Sequence, residues 1–145
     1  MRIDAFLEQS PIFAVNRAAR RFESMTTQLL ARDGLSFLEG MILAAIFFEA
    51  PQPIKPSQLA VTLGTTRGNV SHCVSSLESK GLLARSIDPE DARAYFLALK
   101  PAGKRAAVRV IAAFDQMQTR CEQAGGKAAL GEMQKTLRKL EALCE

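Results

Sequence analysis

The chain has 145 residues, of which 48% are hydrophobic and 23% charged, a composition that allows one sizeable core and argues against a disordered protein. Its apolar runs are shorter than the roughly 18 residues needed to span a bilayer, and the N-terminus lacks a secretory pattern, so we expect a cytoplasmic protein without a membrane partner. Its cysteines, Cys73, Cys121 and Cys144, form no Cys-x-x-Cys pair. We therefore expect no disulfide framework, no metal site and no cofactor.

The net charge of +4 is concentrated in the middle of the chain. Residues 64–109 contain 8 Lys or Arg against 4 Asp or Glu, whereas the two kinds of charge balance in the segments before and after. A local basic excess indicates either an anionic partner such as nucleic acid or a solvated charged face. Charge alone does not separate these alternatives.

The N-terminal third predicts two helices. Ser10-Pro11 is a favourable helix start and predicts a helix to about Arg32, which Asp33-Gly34 closes. Ser36 and Glu39 have the spacing of a capping box at the start of the next helix. That helix is apolar on nearly every side, which predicts that it forms the core.

Two short helices are predicted after a stiff, proline-rich connector at residues 50–55. Gly64 marks the turn between them, Leu59 and Leu63 are the predicted buried residues of the first, and either Thr65 or Thr66 caps the second. An apolar stripe along the second helix is formed by Val70, Cys73, Val74 and Leu77. Its other face is polar and rich in hydrogen-bonding groups: Arg67, Asn69, Ser71, His72, Ser75 and Ser76.

The remainder of the chain predicts a hairpin followed by two helices. The strands are Leu83–Ile87 and Ala94–Leu99, joined by a polar turn at residues 88–93. A long helix starts at Pro101 and reaches about Gln123, and a last helix covers about residues 127–144. The apolar residues of the last helix follow coiled-coil spacing over two heptads, which fits either a partner helix or packing within one chain.

Helix, glycine turn, polar-faced helix and hairpin is the layout of a winged helix-turn-helix. In order, the chain carries Leu59-Ala60-Val61-Thr62-Leu63-Gly64, Val70-Ser71, Leu77-Glu78, Lys80-Gly81-Leu82-Leu83-Ala84-Arg85 and Asp88-Pro89-Glu90-Asp91-Ala92-Arg93. These stretches resemble the MarR family of multiple-antibiotic-resistance regulators. The resemblance covers about 45 residues strongly.

The resemblance implies a mainly α fold with a small β-hairpin wing, in one domain. Residues 36–100 would form the DNA-binding winged helix-turn-helix, and residues 1–35 and 101–145 the dimerisation helices. A homodimer would place the second helix of each motif in successive major grooves of double-stranded DNA. The operator would then be pseudo-palindromic, with half-sites of order 10 base pairs apart.

By position in the family pattern, the resemblance assigns ten residues to DNA. Arg67 has the planar fork that matches the guanine O6 and N7 atoms, although a phosphate contact is an equal alternative. His72 stands where an arginine is common and is expected to act as a neutral hydrogen bonder. At the wing, Arg93 would enter the minor groove and Asp91 would steady the hairpin. The full set is Thr65, Thr66, Arg67, Asn69, Ser71, His72, Ser75, Arg85, Asp91 and Arg93.

The expected function is transcription regulation, as a repressor that a small apolar or aromatic anion releases from DNA. Phe13, Arg17 and Phe37 are candidates for binding that effector. The alternative is a protein-interaction module that uses the winged fold as a scaffold. We expect no enzyme, because a single histidine, no metal-ligand cluster and no nucleophile pattern leave nothing to carry catalysis.

Overall fold

The computed structural model describes residues 2–144 and confirms the predicted fold class, mainly helical with one antiparallel hairpin. The chain divides into two compact units, one ending at Val110 and the other beginning at Ile111. The elements in chain order are α1 (Arg2–Gln9), α2 (Pro11–Leu30), α3 (Phe37–Glu49), α4 (Pro56–Thr62), α5 (Arg67–Ser79), β1 (Leu83–Asp88), β2 (Asp91–Leu99), α6 (Pro101–Gly125) and α7 (Lys127–Glu141).

The N-terminal capping signals are confirmed. The Ser10 hydroxyl accepts a hydrogen bond from the Phe13 amide at 3.2 Å, and α2 ends in a 3₁₀ turn closed by Gly34 in a left-handed conformation (φ +67°). Ahead of it lies α1, a helix that the sequence analysis did not predict. No cap or glycine marks the start of α1, so its short amphipathic pattern lacked a boundary signal.

Helix α3 is the centre of the first unit, as its apolar sequence predicts. The Ser36 hydroxyl accepts from the Glu39 amide, and the Glu39 carboxylate accepts from the Ser36 amide, which completes the capping box. Ile42 and Leu43 are fully buried. They belong to a core with members from α2 to α6: Leu30, Leu59, Val70, Val74, Leu77, Leu83, Leu97 and Val110.

The prediction that Leu63 is buried is wrong. Leu63 is only half-buried, whereas Leu59 and Ala60 form the inner face of α4. The reason is local, because α4 ends at Thr62 and Leu63 already has non-helical dihedral angles. Its side chain therefore leaves the helical stripe on which its spacing had placed it.

The wing turn is shorter than predicted. The strands run to Asp88 and from Asp91, which leaves Pro89-Glu90 as the turn in place of residues 88–93. The Asp88 carboxylate accepts from the Glu90 amide at 2.9 Å and forms an ion pair with Lys55 at 2.7 Å. Residues 91–93, which the sequence places in the turn, belong to β2. The strand register shifts after Ile87, so that Asp88 lies opposite Asp91.

The proline-rich connector also joins the sheet. Ile54 is buried, and its carbonyl accepts a hydrogen bond from the Leu97 amide at 3.0 Å. This isolated bridge places a third segment beside β2. The hairpin is therefore anchored along β2 as well as through the residues that link it to α5.

Helices α6 and α7 have close to the predicted bounds, and Gly126 (φ +80°) separates them. Early in α6, Gly103 and Ala107 are buried. In α7, Met133 is 50% and Leu140 39% exposed, so much of the predicted apolar row remains open. None of the helices in residues 2–144 combines the length and apolarity needed to cross a membrane.

Candidate nucleic-acid interface

The start of α5 is held by a small group of hydrogen bonds. Gly64 makes the turn from α4 with φ +61°, a conformation that favours glycine. The Thr66 hydroxyl accepts from the Asn69 amide at 3.1 Å, and the Thr65 hydroxyl accepts from the Asn69 side chain at the same distance. Of the two caps that the sequence allowed, the structure selects Thr66, and Thr65 orients Asn69.

Burial of one face of α5 decides which side chains point outward. Val70, Val74 and Leu77 have no exposed area, and Cys73 is also buried. Because a helix turns 100° per residue, the opposite face is presented to solvent. Five predicted site residues are exposed there: Arg67, Asn69, Ser71, His72 and Ser75.

Ser76 does not belong to this outer face. It is half-buried, and its hydroxyl hydrogen-bonds to the carboxylate of Glu39 on α3. The same carboxylate is paired with Lys80 at 2.9 Å, and the Lys80 ammonium also donates to the Gly34 carbonyl at 2.7 Å. The C-terminal end of α5 is therefore fixed to the start of α3, a contact that the sequence analysis missed.

The pKa of Glu39 is lowered, which favours its ionised form despite its burial. Burial alone raises the pKa of Glu39, but the hydrogen bonds from Ser76, the Ser36 amide and Lys80 together outweigh it and leave the pKa below its ordinary value. Burial and the Glu39 charge raise the pKa of the neighbouring Cys73 thiol. A buried thiol with a raised pKa is the environment of an inert core cysteine.

The wing tip presents Asp91 and Arg93 to solvent. The Asp91 carboxylate accepts a hydrogen bond from the Arg93 backbone amide at 3.0 Å, a local contact that stabilises the start of β2. At the base of the turn, the ion pair with Lys55 holds the pKa of Asp88 below its ordinary value and raises the pKa of Lys55. Lys55 is a residue of the connector that the sequence analysis did not link to the wing.

Two predicted DNA contacts bind each other. Arg85 Nη2 donates to the Ser75 hydroxyl at 2.8 Å, and Arg85 Nε lies 3.3 Å from the Glu78 carboxylate. Ser75 and Arg85 are ten residues apart and belong to different elements. Only the fold brings them together.

The proposed effector residues occupy different elements. On α2, the Arg17 guanidinium lies 5.6 Å from the centroid of the Phe13 ring. Phe37 is the first residue of α3 and is half-buried. An open groove of about 420 Å³ follows α2 and includes Arg17, and its other lining residues are Ala14, Ala18, Arg21, Phe22 and Met25.

The geometry defines a winged helix-turn-helix protein. The MarR family model matches residues 41–95, which confirms the resemblance seen in the sequence. The chain is 28% identical over 87 residues to the HTH-type transcriptional regulator PrsX of Escherichia coli, covering 60% of this chain and 52% of that protein. It spans between 34% and 52% of the length of the curated relatives it matches.

Solved structures extend the similarity over nearly the whole fold. The Staphylococcus aureus MepR–DNA complex superposes with a TM-score of 0.85 at 19% identity, covering 92% of this chain and 97% of that chain. CouR from Rhodococcus jostii RHA1 bound to p-coumaroyl-CoA gives a TM-score of 0.79 at 20% identity, covering 92% and 93%. At these identities the likeness establishes the fold.

Proposed function

We propose that the protein is a sequence-specific regulator of transcription that binds double-stranded DNA through the outer face of α5 and the wing. The observation that carries the proposal is the orientation of α5. Its apolar stripe is fully buried, so Arg67, Asn69, Ser71 and His72 are left outward beside a hairpin tipped by Arg93. An exposed helix face with hydrogen-bond donors and a cation suits the major groove.

The proposed assembly is a homodimer. Large apolar side chains remain exposed on the helices outside the winged segment, among them Phe6 (67%), Ile12 (73%) and Met133 (50%). Exposed apolar surface of this extent is typical of an interface. A two-fold dimer would bind a pseudo-palindromic operator.

We further propose a cytoplasmic repressor that acts by binding and not by catalysis, with a small anionic effector. The Arg17 guanidinium over the Phe13 ring supports an aromatic or apolar anion as that effector. The groove along α2 supports the same location for the effector site, and it adds Arg21 as a second cation.

The proposal is tested with Arg67→Ala and Arg93→Ala on duplexes selected from DNA that flanks the gene. Arg67→Ala is expected to cost about 1–3 kcal/mol and to relax preference at one base position, because a bidentate guanine contact is lost. Arg93→Ala is expected to weaken all sequences more evenly. Fluorescence anisotropy on matched and single-mismatch duplexes measures both effects.

Arg138→Ala is the matched control for loss of one positive charge, because Arg138 lies on α7 outside the winged segment, and the variant's oligomeric state is compared with that of the parent by size-exclusion chromatography. It is expected to bind as the parent protein does. If neither Arg67→Ala nor Arg93→Ala differs from this control, α5 and the wing are not the DNA-binding surface. A partner protein recovered in fixed ratio, without DNA retardation at low salt, would favour an interaction module.

A further inference from the structure

The Arg85 side chain is held from three directions. Its Nη2 donates to the Ser75 hydroxyl at 2.8 Å, its Nε lies 3.3 Å from the Glu78 carboxylate, and its guanidinium lies 4.8 Å from the centroid of the Tyr95 ring. Ser75 and Glu78 belong to α5, Arg85 to β1 and Tyr95 to β2. One guanidinium therefore connects the outward helix to both strands of the wing.

The strand register explains why Tyr95 lies under Arg85. Arg85 is opposite Leu97, and Tyr95 is two residues from Leu97 on the same strand. Diagonal neighbours of this kind share one face of a hairpin and are within reach of long side chains. On α5, Ser75 and Glu78 are three residues apart and therefore share one side of the helix.

We propose that Arg85 is a positioning residue that fixes the angle between α5 and the wing, with Ser75, Glu78 and Tyr95 as its seat. This rests on the proposed function, because the angle matters for DNA only if both elements engage one duplex. The DNA-reading surface of α5 then lies toward its N-terminal half, from Arg67 to His72. Ser75 then binds Arg85 instead of DNA.

Charge supports this role over a direct phosphate contact. The Glu78 carboxylate would repel a phosphate if its charge were not balanced, and Arg85 balances it at 3.3 Å. The pair therefore adds no net charge to the basic surface. The planar guanidinium can donate along its edge and stack through its face at once, which a lysine ammonium cannot do.

The free protein offers a direct probe of this seat. The sequence contains one tyrosine and no tryptophan, so the tyrosine fluorescence of the protein arises from Tyr95 alone and no tryptophan emission masks it. Arg85→Lys keeps the charge but loses the fork and the stacking. It is expected to change Tyr95 emission and acrylamide quenching, and to speed amide hydrogen exchange in β1 and β2. Ser75→Ala is expected to shift both in the same direction, and Arg93→Gln to leave the emission unchanged.

DNA binding separates positioning from phosphate contact. The double variant Arg85→Gln/Glu78→Gln removes both charges and leaves the net charge unchanged. It is expected to weaken binding roughly tenfold, the size of a lost coupling between neighbouring residues, with the parent's dependence on salt. A phosphate contact would lower the slope of log K against log salt by about 0.9 for each subunit. Arg93→Gln gives the reference for such a loss.

Two results would overturn the proposal. One is a loss of salt slope in the double variant as large as that of Arg93→Gln, and the other is parental Tyr95 emission in both Arg85→Lys and Ser75→Ala. Thermal unfolding checks that each variant folds. If Arg85→Lys does not fold, Ser75→Ala takes its place in the emission and hydrogen-exchange test. If the parent binds no duplex, the proposed function fails, and unchanged Tyr95 emission in the free variants would separately contradict the seat.

Discussion

The Glu39 carboxylate joins two helices, α3 and α5. As the third residue of α3 it completes a capping box, a role the sequence predicts. Folding adds Ser76 and Lys80, two residues from the far end of α5, to the same carboxylate. The cap thereby becomes a joint between the core helix and the proposed DNA-binding helix.

We predict that Glu39→Gln destabilises the protein by about 1–3 kcal/mol at pH 7, because a nearly buried charged hydrogen bond is lost while the cap is partly kept. The pKa of Glu39 is lowered by folding, so its stabilising effect is complete above the carboxyl's ordinary pKa and is lost as pH falls through the folded value. The difference between parent and variant should therefore shrink toward pH 3. Urea unfolding from pH 7 to pH 3 measures it.

The matched control is Glu132→Gln, which removes an exposed carboxylate paired only with Lys135 on the surface of α7. Its effect should stay within about 0.5 kcal/mol at every pH. A Glu39→Gln difference that is constant across this range would show that the folded pKa of Glu39 is not lowered.

At the same scale, local and distant contacts differ in how well the sequence predicts them. The cap of α5 lies three residues from its partner, so the sequence narrowed it to Thr65 or Thr66, and the structure selects Thr66. The contact of Arg85 with Ser75 crosses ten residues and two elements, and spacing gave no sign of it. Ser75 and Arg85 had both been assigned to DNA, because the family pattern marks positions and does not specify which way a side chain turns.

Among the elements, the helices were predictable where an apolar pattern, either a stripe or a nearly all-apolar helix, coincided with a capping signal. For α3 and α5 both were present, and the burial of Val70, Cys73, Val74 and Leu77 follows their spacing. The turn of the wing was predicted too long, because polar residues in a strand that faces solvent look like a loop. Helix α1 was missed for want of a start signal.

The junction between the wing and α6 depends on a close approach of two backbones. A Cβ atom added to Gly103 would overlap the backbone carbonyl oxygen of Leu82, and the Lys100 amide donates to that same oxygen. Neither partner is a flexible side chain, so the chain must shift to admit a methyl group. This contact sets where α6 leaves the winged segment.

We predict that Gly103→Ala destabilises the protein by about 1–3 kcal/mol, although alanine is the better helix former. Gly131→Ala is the control, since a Cβ there meets open space within α7. It should stabilise the protein by about 0.5–1 kcal/mol. Thermal and urea unfolding of the two variants should move in opposite directions, and a shared direction would contradict the close approach at Gly103.

At the scale of the whole molecule, the sequence predicted the winged fold and its family resemblance, and the comparisons bear out both. The proposed dimer rests on apolar side chains that the chain leaves exposed, such as Ile12 and Met133. Sequence periodicity indicates that such rows exist but does not indicate what covers them. The operator and effector stay proposals for the same reason, since their recognition depends on a partner's chemistry.

In the proposed function, the outward face of α5 and the wing engage the phosphates and bases of one duplex. The most direct test is the affinity for a duplex from DNA flanking the gene, measured from about 50 to 200 mM salt. With contacts from two subunits, log K should fall against log salt with a slope of about −3.6 or steeper, as four or more phosphates release counterions. A flat response, or equal affinity for every duplex tested, would contradict sequence-specific DNA binding by α5 and the wing.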